Sequence, residues 1–133
     1  MYRIAVLSDC VKQGQRLAEQ MERFCRSKGL FPLIEQYQGQ EQFFSVIYNK
    51  NPSSVILALK GVEGLNAAEH LRSLRPDCSI IWCSDLNFSL HAFRLKIDYF
   101  LLEPFGDESF QQALQVWFER KEIRKYDRKR DNL

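Results

Sequence analysis

The sequence predicts an α/β fold: a five-stranded parallel sheet, strand order 2-1-3-4-5, with helices on both faces. Three observations carry this. Five short apolar runs alternate along the chain with stretches of helical apolar periodicity. The third and fourth runs, residues 55–59 (VILAL) and 80–84 (IIWCS), lack polar alternation, as strands covered on both faces do. The stretches between runs carry helical crossovers, which parallel strands require and which are right-handed.

The elements follow in order. Residues 3–8 (RIAVLS) make the first strand, closed by Asp9. Leu17, Met21, Phe24 and Cys25 recur at i, i+4, i+7 and i+8, one apolar face of a helix. Gly29 ends that helix as a C-cap glycine. Residues 30–37 form the second strand. Pro32 within it donates no ladder hydrogen bond, which assigns the strand to a sheet edge. Phe43, Phe44 and Ile47 mark a second helix, stopped by Asn51-Pro52. After the third strand, Ala67, Leu71 and Leu74 form a helical stripe ended by Pro76. Residues 87–95 make a weak, short helix after the fourth strand, and residues 99–102 the fifth strand. Phe110, Ala113, Leu114, Trp117 and Phe118 give the clearest helix, at i, i+3, i+4, i+7 and i+8. The flavodoxin-like order puts the Pro32 strand at an edge, as its chemistry asks.

With 133 residues the chain is expected to form one domain, residues 1–120, followed by a basic helix extension or linker, residues 121–133. The overall charge of +2 divides into +3 after Arg120 and −1 for the body. A near-neutral body is a poor nucleic-acid surface. No apolar run approaches bilayer length, and Met1-Tyr2-Arg3-Ile4 does not open a signal peptide, so a cytoplasmic protein without membrane contact is expected. Cys10, Cys25, Cys78 and Cys83 show no CxxC pair and no zinc-type spacing with histidine. They are expected to be reduced, mostly buried thiols. His70 and His91 are isolated and expected to face solvent.

In such a sheet a site lies at the carboxyl ends of the strands. Four stretches should converge there: Ser8-Asp9-Cys10, Ala58-Leu59-Lys60, Ser84-Asp85 and Glu103-Pro104. Residues 92–95 (AFRL) through 97–105 (IDYFLLEPF), Gly64-Leu65-Asn66 with residues 67–75, and residues 4–9 together carry a resemblance. Over residues 2–118 the chain resembles response-regulator receiver domains, closest to those preceding LytTR-type DNA-binding domains.

The resemblance implies phosphorelay chemistry and also its loss. A receiver accepts a phosphoryl group on an aspartate at the end of the third strand. Magnesium, held by acids after the first strand, a lysine and a Ser/Thr hydroxyl neutralise and position that group. Carried onto this sequence, Asp9 matches one acid of the first-strand pair and Ser8 stands at the other. The nucleophile falls on Ala58, the hydroxyl on Ser84 and the lysine on Glu103. No Asp or Glu occurs from Ser53 through Val62, so no small shift of alignment restores a nucleophile. Glu103, with Asp9 and Asp85, is expected to repel a phosphoryl group.

The expected site is thus a degenerate pocket of Ser8, Asp9, Ala58, Lys60, Ser84, Asp85 and Glu103, with no catalytic residue. Lys60 either bridges to Asp9 or Glu103 or points to water. Asp9, Asp85 and Glu103 form either a bare cation site or solvated acids, and no cofactor is expected. Ser84 and Phe100 occupy the family's switch positions, and Phe100 equally suits the core. One functional reading is a non-enzymatic, phosphorylation-independent receiver in two-component-type signalling. It would bind a partner or itself through the fourth helix, fifth strand and fifth helix, in transcription control, with DNA contacted only through an effector domain. The alternative is a flavin-type cofactor-binding or cation-binding protein on the same fold. Against it, residues 8–14 hold one glycine and lead with an acid, a poor phosphate cradle.

Overall fold

A computed structural model describes the backbone of residues 2–131 and the side chains of residues 2–121. The order is β1 (Arg3–Ser8), α1 (Val11–Ser27), β2 (Leu33–Tyr37), α2 (Gln40–Ile47), β3 (Ser54–Ala58), α3 (Gly61–Leu74), β4 (Ser79–Ser84), α4 (Ser89–Arg94), β5 (Tyr99–Leu102) and α5 (Asp107–Asp131). The strands form one parallel sheet in the order β2-β1-β3-β4-β5, as the sequence predicts.

The sheet separates two apolar layers, because alternate strand residues point to opposite faces. On one side Val6, Ile56 and Leu101 pack with Leu17 and Met21 of α1 and Phe110, Leu114 and Trp117 of α5. On the other, Leu57, Ile80 and Trp82 pack with Phe43 and Ile47 of α2 and Leu71 of α3. Full burial of such a side chain contributes about 1.5–3 kcal/mol. Several polar groups inside are paired, although Gln20 Oε1, Arg75 Nε and Trp82 Nε1 are buried without a hydrogen-bond partner among the described residues. Ser54 Oγ meets Tyr2 Oη at 2.6 Å and accepts from Trp117 Nε1 at 2.9 Å. Asp98 accepts the Ile80 N–H at 2.8 Å.

The α1 helix ends as expected. Gly29 sits at φ +75°, the Leu30 N–H reaches the Cys25 carbonyl at 2.8 Å, and the Gly29 N–H reaches Arg26 at 3.0 Å, a Schellman pair of bonds.

Five boundaries differ from the sequence reading. β4 starts one residue earlier, at Ser79, and α4 is confined to Ser89–Arg94. β2 starts at Leu33, so Pro32 precedes the ladder; the strand is still at an edge, paired only with β1. β3 runs one residue earlier, because Ser54 already pairs with Ile4 and Ser79. α3 begins at Gly61, which puts Gly64 inside the helix rather than in the loop before it. The basic stretch leads on from α5, whose backbone is helical through Asp131; the side chains of residues 122–133 lie outside the described residues.

The four cysteines are free thiols, and Cys25, Cys78 and Cys83 are buried. Burial pushes the Cys25 thiol up to about 11. Cys83 is raised further by complete burial and, secondarily, by the Glu103 charge. Cys10 is exposed at the N-cap of α1. The histidines are less free than expected: exposed His70 stacks on Phe44 at 4.1 Å, and half-buried His91 meets Phe88 edge-on at 5.6 Å. Among the described residues no helix is long and apolar enough to cross a membrane.

Candidate functional site

The four stretches singled out from the sequence meet at the carboxyl edge of the sheet. Parallel register makes this so: Ser8 at the end of β1 pairs with Ala58 at the end of β3, and Ser84 at the end of β4 pairs with Leu102, one residue before Glu103. Ala58 is 2% exposed and offers only a methyl group where the resemblance requires a carboxylate.

The two loop acids are engaged in a way the sequence did not reveal. Asp9 Oδ2 accepts the backbone N–H of Lys60 at 3.2 Å. Asp85 Oδ1 accepts the backbone N–H of Gly61 at 2.7 Å. These amides open α3, whose own N-cap supplies no side-chain cap. The first amides of a helix have no partner inside it, and the helix dipole favours negative charge there. Carboxylates from the β1–α1 and β4–α4 loops therefore cap α3 from outside. Lys60 contributes its amide, not its ammonium; no ion pair of Lys60 is found among the described residues.

Glu103 is held from the other side. Gln13 Nε2 donates to Glu103 Oε1 at 2.8 Å. The Gln13 Oε1 lies 3.2 Å from Ser8 Oγ, which also has the Cys10 carbonyl at 3.0 Å and the Cys10 N–H at 3.1 Å. The single Ser8 hydroxyl proton serves one of its two acceptors at a time. Gln13 thus links buried Ser8 to Glu103, a role the sequence reading missed. Its only signal was its place in the loop-to-helix stretch after β1; its direction depends on how α1 is rotated against the sheet. The Glu103–Pro104 peptide is cis. The Ser84 hydroxyl turns to its own loop and accepts the Leu86 N–H at 3.1 Å. Phe100 is half-buried and meets Trp82 edge-on at 5.2 Å, on the α2–α3 side of the sheet.

A cleft of about 440 Å³ opens beside these groups, lined by Gln13, Arg16, Lys60, Asp85, Glu103 and Phe105, among others. Arg16 is paired at its rim with Asp107, which also accepts from Gln20 at 2.8 Å. Those hydrogen bonds, Arg16 first, hold the Asp107 carboxyl below its usual range. No cluster of three or more His, Cys, Asp or Glu able to hold a metal forms among the described residues. Asp9 and Asp85 face helix amides and Glu103 faces an amide side chain, so the three acids do not converge on one point.

No protein-family model matches the chain, and no curated protein matches it. Solved structures do. The response regulator DrrB of Thermotoga maritima superposes with a TM-score of 0.71 at 18% identity, over 91% of this chain and 54% of that one. The chain thus spans about half the length of that regulator. The REC domain of AraT from Geobacillus stearothermophilus gives 0.73 at 15% identity, over 92% and 98% of the two chains. The non-phosphorylated HemR receiver domain of Leptospira biflexa gives 0.68 at 20%, over 88% and 94%. In its five-stranded parallel sheet of order 2-1-3-4-5 with five helices, this chain has the fold of response-regulator receiver domains.

Proposed function

We propose that this chain is a pseudo-receiver: a non-catalytic signalling module that acts by protein–protein contact, without aspartyl phosphorylation. The carrying observation is Ala58, a buried methyl at the end of β3 in a receiver fold. The surroundings agree with it. The acids that would serve a metal cap α3, and Glu103 adds negative charge where a phosphoryl group would need a cation. The capping role also argues against the cation-binding reading, and the β1–α1 loop against the flavin reading.

The contact surface in this proposal is α4 with β5 and α5. Leu90 is 71% exposed and Phe93 84% on α4, and Leu102 at the end of β5 is 45% exposed. Apolar groups this bare on neighbouring elements suit a second copy or a partner protein. A role in transcription control, kinship with LytTR-linked receivers, and DNA contact through an attached effector domain belong to the same proposal. Residues 121–133 then extend the last helix or begin a linker.

The experiment is incubation with acetyl phosphate, or beryllofluoride with Mg²⁺, followed by intact mass and NMR. No adduct and no shift near β3 are expected. Stoichiometric labelling of a carboxylate at this edge would sink the proposal. Sedimentation of Phe93→Glu against the parent tests the surface: weaker association is expected, and unchanged association refutes it.

A further inference from the structure

α4 has six residues, far below the ~12–15 at which an isolated helix becomes stable. It is anchored at both ends by groups from outside itself. At its start, the Phe88 ring lies flat on Trp82, with centroids 5.6 Å apart and planes 14° apart. Trp82 is fully buried, and Phe100 of β5 braces it edge-on. His91 meets the Phe88 ring edge-on, and the Ser84 hydroxyl closes the loop just ahead through the Leu86 amide. At its end, Arg72 of α3 donates to the Leu95 carbonyl at 2.7 Å and to Lys96 at 3.1 Å. The same guanidinium holds the carbonyls of Arg75, Pro76 and Cys78. It therefore ties the end of α4 to the end of α3 and the start of β4. Lys96 is held at φ +54°, a conformation that a non-glycine residue keeps only where its surroundings enforce it.

We propose that α4 occupies one fixed position, set by the Trp82–Phe88 stack and the Arg72 clamp. Leu90 and Phe93 are then presented constitutively rather than by a switching step. The inference rests on the phosphorylation-independent reading: it supplies the reason the α4 surface needs no chemical trigger.

NMR relaxation dispersion and amide exchange on the full chain test it, at the amides of Ala92, Leu95 and Ile97, which close α4. In the parent, no microsecond–millisecond exchange is expected at these amides, with or without beryllofluoride and Mg²⁺. Phe88→Ala removes a half-buried ring and leaves the core filled. It should speed exchange at Ala92 and Leu95 about tenfold, the worth of a stacked pair with its burial, while the β4 amides stay unchanged. Arg72→Gln should do the same at Leu95 and Ile97. Dispersion at α4 in the parent without any beryllofluoride response overturns this inference alone. A beryllofluoride response overturns the phosphorylation-independent reading itself. Parent-like exchange in both variants removes the two anchors.

Discussion

Replacing Gly64 by alanine sets two effects of known sign against each other. Gly64 lies inside α3, where alanine is the better helix former by about 1 kcal/mol. Its missing Cβ, however, would stand 2.5 Å from the Leu59 carbonyl oxygen and 3.4 Å from Trp82 Nε1. An ordinary carbon–oxygen contact needs about 3.3 Å, so the carbonyl must retreat by about 0.8 Å. It has little freedom to do so. Leu59 is 1% exposed, and the next amide, Lys60, is bound to Asp9. Overpacking costs about 1–3 kcal/mol, and a contact this short against a backbone carbonyl belongs at the upper end, about 2–3, so after the propensity gain of about 1 kcal/mol a net loss of about 1–2 kcal/mol remains. In urea the unfolding midpoint should drop by about 0.5–1 M with an unchanged slope. Asn66→Ala, on the exposed face of the same helix, isolates the propensity gain and should be neutral or slightly stabilising. If Gly64→Ala is as stable as its parent, the close approach that shapes the β3–α3 wall of the cleft is refuted.

Three further outcomes follow from the structure. In the native protein, a thiol reagent at mildly alkaline pH should modify Cys10 quickly and Cys25, Cys78 and Cys83 only on unfolding; fast reaction of Cys25, whose thiol is pushed up to about 11, would contradict its burial. Asp107 is held below its ordinary value of 3.8 by Arg16 and Gln20, so its contribution to stability is present above that value and lost as pH falls through the lower folded one. Asp107→Asn should therefore be less stable than the parent at neutral pH and converge with it in acid, and a gap that persists at about pH 2 would refute the pairing. Trp117→Phe trades the buried indole for a smaller phenyl ring and removes the N–H that meets Ser54 in the core, so a cavity cost adds to the lost hydrogen bond and the total should exceed about 1 kcal/mol by thermal or urea unfolding; a neutral result would refute the close packing of Trp117.

The sequence by itself determined the element order, the two-sided burial of β3 and β4 and the edge position of β2. The first two follow from apolar periodicity, which is local and needs no knowledge of neighbours; the edge position agrees with the expectation, although Pro32, on which it rested, precedes the ladder. It also determined that β3 ends without an acid, because the absence of a carboxylate from Ser53 to Val62 is a matter of composition. Element ends were less legible. The shift of β2 to Leu33 and of α3 to Gly61 depends on which amides find ladder or capping partners in other loops. The site's wiring belonged to the tertiary structure alone. Asp9 meets an amide 51 residues away, Asp85 one 24 residues away, and Gln13 reaches Glu103 across 90 residues. A carboxylate can hold a cation, a lysine or a helix amide with similar chemistry. Only the packing of α3 against the sheet's carboxyl edge selected the amide, and left the Lys60 side chain outside the bond its backbone makes.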